Sequence, residues 1–231
     1  ADNLEKKGLS LNQTKTVSMF IPPPRGTEDV VPVLINGAPL PVVSTVRCLG
    51  VMIDDRLTWQ SHIDFIAAKV GRKIGVLRRV KRQMSLHARR LYLLSVVMPD
   101  LEYCAVAFLS SLPAKGRKCL LSLFRRALRA VAGADRHADC VPIIRNLKIE
   151  PLLIRWLLQL CSFVFVCCNH PPAACLASMF SRASAIHAIR GQQAGNLVIS
   201  VCKRMSGCNS VTVRLSLLWN ALPNDLKCCS S

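Results

Sequence analysis

The chain has 231 residues, with 31 Lys plus Arg against 13 Asp plus Glu, a formal charge of +18, and 51 % apolar but only 19 % charged residues. That apolar content excludes a disordered polybasic tail and is enough for one medium domain or two small ones with a buried core. So one-sided a charge on a folded chain points to a polyanionic partner, nucleic acid first and an anionic membrane surface second. The twelve cysteines fall below the density of a disulfide scaffold. The opening ADNLEKKGLSLN lacks the charged and apolar succession of a secretion signal. An intracellular place, nucleus or cytoplasm, with reduced and mostly buried thiols is expected.

In chain order, ADNLEKKG reads as a helix end stopped by Gly8. Leu9, Leu11, Val17 and Met19 then alternate as in a half-buried strand that Pro22–Pro24 break. Asn36-Gly37 between apolar runs is a strong hairpin signal, with Pro32, Pro39 and Pro41 favouring a sheet edge. A further strand is expected over Val46–Ile53. Helices follow. Ile63, Ile66, Val70, Ile74, Leu77 and Met84 form one apolar stripe, with Arg72, Arg79 and Arg82 turned away from it. Ser85 is placed to cap a helix over Leu86–Met98 that Pro99 should interrupt, and Leu101–Leu109 should continue its direction. A basic amphipathic helix is expected from Lys115 to Ala132, with Leu120, Phe124, Leu128 and Val131 inward and Gly133 as its stop. The next helix starts with Pro151 at its first position and is apolar from Leu152 to Cys168. Its uninterrupted part is too short for a bilayer core of about 30 Å, so a buried helix is expected. Beyond Pro171-Pro172 only LLWNALPNDL is well defined.

The acidic residues are unevenly placed. None lies between Asp64 and Asp100, an interval holding Lys69, Arg72, Lys73, Arg78, Arg79, Lys81, Arg82, Arg89 and Arg90. A second acid-free interval, Tyr103 to Ala134, carries Lys115, Arg117, Lys118, Arg125, Arg126 and Arg129. Solvated helices ordinarily mix charge signs. Such an excess suits a surface that follows phosphates, because each phosphate neutralised releases counterions.

Other chemistry is poorly supplied. Asp54-Asp55 has the look of a two-metal carboxylate pair, but it precedes Arg56-Leu57-Thr58-Trp59 at a strand-to-helix corner and no third carboxylate completes a site. A turn with an Asp at the helix N-terminus is the expectation. Cys167, Cys168, His170 and Cys175 lack the first-pair spacing of structural zinc sites, so no metal ligands are assigned. His62, His87, His137, His170 and His187 are scattered, and no G-x-S-x-G, Walker loop or G-x-G-x-x-G is present. Aromatic residues make up 5 %, a thin supply for stacking single strands. From the residues alone the chain reads as a basic α+β nucleic-acid-binding domain, mostly α.

Several segments carry a more specific likeness. GLSLNQTKTVSMF resembles the G-L-x-L-N-x-x-K-T-x-x-M-x-F segment in the palm of non-LTR retrotransposon (LINE, jockey-like) reverse transcriptases. VRCLGVMIDDRLTWQSHI resembles their Y-L-G-V-x-I-D-x-x-L-x-W-x-x-H-I segment. VVMPDLEYCAVAF, LFRRALRAVAG and SLLWNALPNDL resemble the thumb and downstream region, in order. The resemblance implies the end of a palm with a primer-grip-like hairpin over 1–60, a basic helical thumb over 61–135 and a helical C-terminal region over 136–231. It matches Lys15 to the palm lysine that protonates leaving pyrophosphate. It puts Cys48, Leu49 and Gly50 at the primer-grip turn, with Cys48 replacing a more usual aromatic, and gives Trp59 and His62 a packing role. The partner it implies is the RNA template–DNA primer duplex, held by Arg72, Arg79, Arg82, Arg125, Arg126 and Arg129, with no membrane. In that family the F-A-D-D carboxylates that bind Mg²⁺ precede the first segment. This stretch is therefore expected to bind no cofactor itself, to lie apart from an N-terminal palm and fingers, and not to polymerise DNA alone. The alternatives are a non-catalytic basic RNA- or DNA-binding protein and a membrane-peripheral or protein-interaction helical module.

Overall fold

A computed structural model describes residues 6, 8, 12–22, 32–35, 37–182, 195–199 and 210–227. The fold class is α+β, mostly α: two small antiparallel sheets of two strands each are followed by a long series of helices. The chain divides into two compact units, 1–68 and 69–231.

In the first unit, β1 (Leu34–Ile35) pairs with β2 (Ala38–Pro39), Leu34 opposite Pro39 and Ile35 opposite Ala38. Of the expected Asn36-Gly37 turn, Gly37 is left-handed at φ +80°, and Asn36 lies outside the described residues. The alternating strand expected after Leu9 is not what forms across 12–22. Asn12 instead starts a 3₁₀ turn, Gln13–Lys15, by accepting Lys15 N–H and the Thr14 hydroxyl on its side-chain oxygen. Only Ser18 bridges, parallel to Val42. A short polar side chain that can satisfy its own backbone outcompetes the ladder here. The helix expected over 1–8, and Leu9 and Leu11, lie largely outside the described residues.

The single strand expected over Val46–Ile53 is a second hairpin, β3 (Thr45–Cys48) with β4 (Val51–Asp54). Leu49 and Gly50 form its turn, both at positive φ, +46° and +89°. A two-residue turn with both centres left-handed matches the twist of the flanking strands. Leucine gives no hint of it, because a side chain with a Cβ disfavours that conformation.

Helix α1 (Gln60–Val80) buries the predicted stripe: Ile63, Ile66, Val70, Ile74 and Leu77 are all nearly inaccessible. A 3₁₀ turn, Lys81–Gln83, ends it. In the second unit Ser85 caps α2 (Leu86–Tyr92) as expected, its hydroxyl accepting Ala88 N–H at 3.1 Å. Pro99 does not interrupt. The chain widens into a π turn, Leu93–Val97, closed by Met98 N–H on Leu93 O, and runs on as α3 (Met98–Glu102). The wider pitch makes room for a ring that would strike the carbonyl four residues back in an ordinary helix. The continuation expected over Leu101–Leu109 breaks at Tyr103, which is extended, and Cys104, left-handed at φ +52°, and α4 (Ala105–Phe108) starts afresh after them.

Helix α5 (Ala114–Ala132) buries Leu120, Phe124, Leu128 and Val131 and stops at Gly133, left-handed at φ +70°. It packs on α2, on the π turn and on α6 (Cys140–Leu147). Pro151 stands one residue earlier than expected, as the residue before α7 (Leu152–Asn169). A second core gathers Val164 and Cys167 of α7, Phe180, Leu197, and Leu215 and Trp219 of α9 (Val211–Asn220). α8 (Ala174–Ala177) lies beside α7, and α10 (Asn224–Lys227) closes the described chain. Trp219 and Asn220 of the LLWNALPNDL segment are fasteners: the indole donates to Gly195 O, and the Asn220 amide exchanges two hydrogen bonds with the Leu197 backbone.

Helix α7 is not buried all round. Leu153, Ile154, Leu157 and Leu158 are exposed. Two stretches of the chain, Leu86–Phe108 and Leu152–Asn169, are long and apolar enough to cross a membrane by length and composition.

Candidate nucleic-acid interface

The cations of the first acid-free interval divide into two populations. Lys69 and Lys73 converge on the nearly buried Asp100 at 2.9 and 2.5 Å, and Lys73 also donates to Val96 O at 2.6 Å. Arg89 donates to Val131 O at 2.8 Å, and Arg90 to Leu147 O and Lys148 O at 2.6 and 3.2 Å. Those carbonyls end α5 and α6, where backbone acceptors run out of helical partners and the helix dipole favours a cation. Four charges that read as open in the sequence are thus internal fasteners. Arg155 is another, forking onto Glu102, which raises its affinity for the proton. Lys227, buried, donates to Asn196 Oδ1 and Asn220 O.

The remainder face solvent. Arg72 and Arg79 stand seven residues apart on exposed positions of α1, which places them on one helical face. Arg82 is exposed on the turn that follows. Arg78 and Lys81 contribute instead to a pocket of about 370 Å³, together with Arg126, Arg129 and Arg136. Its other lining residues are Ala130 and Ala134. Five cations and no carboxylate line one concavity.

The six arginines named from sequence therefore do not form one group. Arg126 and Arg129 meet in the basic pocket. Arg72, Arg79 and Arg82 sit along the exposed side of α1 and its end. Arg125, next to Arg126 but a third of a turn round the helix, opens onto another cavity of about 490 Å³, lined chiefly by apolar side chains such as Phe124, Val141, Ile144 and Leu153. Arg129 lines both cavities, and its Nε is committed to Ala138 O at 2.8 Å. Sequence reasoning missed Arg78, Lys81 and Arg136 as contributors. The first two lay in the acid-free interval and only needed the helical phase. Arg136 lies just past the second such interval, beside Asp135, but that carboxylate is turned into its own loop, accepting His137 N–H at 2.9 Å.

In the first unit, Lys15 is exposed at the end of its 3₁₀ turn. Cys48 and Leu49 are exposed at the hairpin tip, Leu49 by 86 %. Behind them the corner expected at Asp54-Asp55 forms as a cap. Asp54 Oδ1 accepts Thr58 N–H and Oδ2 accepts Trp59 N–H, both at 2.8 Å. Burial alone would raise its carboxyl, but the N–H groups of Thr58, Trp59 and Arg56 and the Thr58 hydroxyl outweigh it and hold the group below the ordinary carboxylate range. They also brace Leu57 and Trp59 at φ +52° and +64°. Trp59 and His62 are buried, and His62 Nδ1 accepts Met52 N–H at 3.4 Å, tying the start of α1 to β4. Burial lowers the imidazole's proton affinity below its ordinary value and so favours the neutral ring. Arg47 lies over the Phe65 ring, 5.2 Å from its centre.

Both Asp54 oxygens being engaged, this carboxylate does not fit a catalytic Mg²⁺. Among the described residues no group of three His, Cys, Asp or Glu is arranged for a metal ion. The thiols of Cys167 and Cys168 are pushed up by burial, which disfavours the thiolate a metal needs. Cys202, Cys208, Cys228 and Cys229 lie outside the described residues.

No protein-family model matches this chain, and no curated protein or solved structure matches it either.

Proposed function

We propose that this chain is the palm end and thumb of a LINE-type RNA-directed DNA polymerase, and that it holds a template–primer duplex by its phosphates. The carrying observation is the set of solvent-facing cations on α1, α5 and the segments that follow them, with five cations around one acid-free pocket. Phosphate contacts position a duplex without reading bases, which agrees with arginines and lysines unaccompanied by aromatic side chains. The likeness of GLSLNQTKTVSMF and VRCLGVMIDDRLTWQSHI to palm segments supplies the family. On that likeness Lys15 would serve as the acid for the leaving pyrophosphate and the Cys48–Gly50 turn would approach the primer. Mg²⁺ would be held by carboxylates elsewhere in the enzyme, so these residues perform no polymerisation step by themselves.

The test is the salt dependence of RNA–DNA heteroduplex binding by fluorescence anisotropy. Each phosphate neutralised contributes about 0.9 to the slope of log affinity on log salt, so replacing Arg72, Arg79 and Arg82 together by Ala should flatten it by about 2–3. An unchanged slope removes α1 from the footprint, and no binding at low salt ends the proposal. A basic RNA- or DNA-binding protein of another origin would give the same slope. An in-frame F-A-D-D hairpin preceding GLSLNQTKTVSMF separates the two. One observation favours peripheral membrane attachment instead, the exposed Leu153, Ile154, Leu157 and Leu158 of α7. Flotation with anionic vesicles, rather than heteroduplex binding, would establish that reading.

A further inference from the structure

The pocket between the end of α1, the end of α5 and the loop after Gly133 has a chemistry narrower than a basic surface. Arg78, Lys81, Arg126, Arg129 and Arg136 line it, and the remaining lining is Ala130 and Ala134. Methyl groups offer no face on which a base could stack, and no side-chain acceptor that could read a base edge. None of the five forms an ion pair among the described residues. The C-termini of α1 and α5 lie nearby, but each supplies only about half a negative charge against five positive ones. Two sides of the pocket are preset. Arg129 is steered by its bond to Ala138 O, and the loop bearing Arg136 is fixed by the left-handed Gly133, by Ala134 N–H on Arg129 O at 3.0 Å and by the Asp135–His137 turn. A guanidinium steered in this way, with others converging beside it, suits the tetrahedral oxygens of phosphate.

We propose that this pocket seats the terminal phosphomonoester of a nucleic-acid strand. A backbone diester carries one negative charge, whereas a terminal phosphate carries about −1.5 to −2 at neutral pH and offers three ionised or accepting oxygens. A concavity with five cations is matched to the end of a strand, while Arg72 and Arg79, spread along α1, are matched to its backbone. The assignment deepens the nucleic-acid reading by naming which phosphate goes where.

The experiment uses the full chain and two 3′-labelled heteroduplexes identical except for a 5′-phosphate or a 5′-hydroxyl, with wild type and an Arg126→Gln/Arg136→Gln double variant. Wild type should bind the phosphorylated end about tenfold more tightly, the size of one or two charge-assisted hydrogen bonds, and the double variant should bind both ends alike. Equal wild-type affinity for the two ends overturns the proposal, as does a preference that survives in the double variant. Inorganic pyrophosphate provides an arm that does not depend on duplex binding. It should raise the melting temperature of wild type and not of the double variant. A chain that responds to pyrophosphate but ignores both duplexes is left with an anion pocket only, which overturns the strand-end assignment together with the polymerase reading. A chain that binds duplex with no pyrophosphate response loses the pocket alone.

Discussion

Arg90 and Arg136 are both basic residues on a chain with a large positive excess, and their circumstances are opposite. The Arg90 guanidinium is partly buried and bonded to the last carbonyls of α6. Arg136 is exposed on a pocket rim with four other cations. The same contrast separates Lys73, held by Asp100 and Val96 O, from Arg79, on an open helical face. One-sided composition is therefore two things at once. Part of it closes helix ends, where carbonyls without partners attract cations. The other part forms no ion pair among the described residues and, apart from the Arg129 bond to Ala138 O, retains its mutual repulsion, which an anion would relieve. The difference is measurable, because removing a fastener costs stability and removing a free cation costs binding.

The largest expected effect is at Asp100. Changing it to Asn leaves Lys69 and Lys73 against a nearly buried neutral group. Breaking a buried pair costs about 3–5 kcal/mol, but Lys69 is half exposed and water recovers part of the loss, so about 2–3 kcal/mol is expected from urea unfolding. A loss under about 0.5 kcal/mol would move both lysines into the free population and undo the comparison.

Next is the direct contrast. Arg90→Ala should destabilise by about 2 kcal/mol, since it removes charged hydrogen bonds to two carbonyls, whereas Arg136→Ala should stay within about 0.5 kcal/mol of wild type or gain stability. Arg90→Lys should recover little, because one ammonium cannot span Leu147 O and Lys148 O as the fork does. Equal losses at Arg90 and Arg136 would show that the pocket is structural.

What was legible in the sequence was whatever local spacing controls. The stripes of α1 and α5, the Ser85 cap, the Gly133 stop and the Asn36-Gly37 turn all depend on neighbours within a turn or two of chain. The two populations of cations were not legible, because their sorting is done by partners far along the sequence: Asp100 for Lys69 and Lys73, Val131 O for Arg89, Leu147 O for Arg90. Pro99 misled because a π turn, not the proline, decides whether the helix continues. Arg136 lay just past the acid-free interval that ends at Ala134, and the carboxylate of Asp135 that bounds it is engaged by a backbone N–H rather than by the arginine.

A smaller effect concerns the first unit, where the titrating groups are not free cations but a capped carboxylate and a buried ring. His62 binds a proton less readily folded than its ordinary value of 6.5. As pH falls through 6.5 the unfolded chain takes up a proton that the folded one refuses, so stability falls from there. Asp54 is lowered from 3.8, so its contribution is fully present above that pH and is lost as pH falls through its folded value. Unit 1 should weaken in two steps on acidification, followed by exchange of the Met52 amide that bonds His62. His62→Gln should remove the first step alone. Asp54→Asn, giving up one carboxylate acceptor, should cost about 1–2 kcal/mol at neutral pH and flatten the second. A single step insensitive to both substitutions would take the corner out of the stability of this unit.

The smallest effect expected is at Leu49, where stability and binding can be separated without a change of charge. The residue is at φ +46° in a turn whose two centres are both left-handed, and it is 86 % exposed. Its side chain is almost wholly in water, so its loss removes little burial, while asparagine accepts the left-handed conformation far more readily. Leu49→Asn should therefore stabilise the β3–β4 hairpin by about 0.5–1 kcal/mol, with no change in the register that pairs Cys48 with Val51. Slower exchange of the Thr45–Asp54 amides would register the gain. A strained leucine exposed at a hairpin tip makes sense if the tip meets something apolar or approaches a strand closely. Should heteroduplex affinity fall in Leu49→Asn while the hairpin becomes more stable, the strain belongs to binding, and the primer-grip likeness of Cys48, Leu49 and Gly50 gains a physical basis. If stability rises and affinity holds, the leucine is an ordinary exception to turn chemistry, and the duplex is gripped by the cations of the second unit alone.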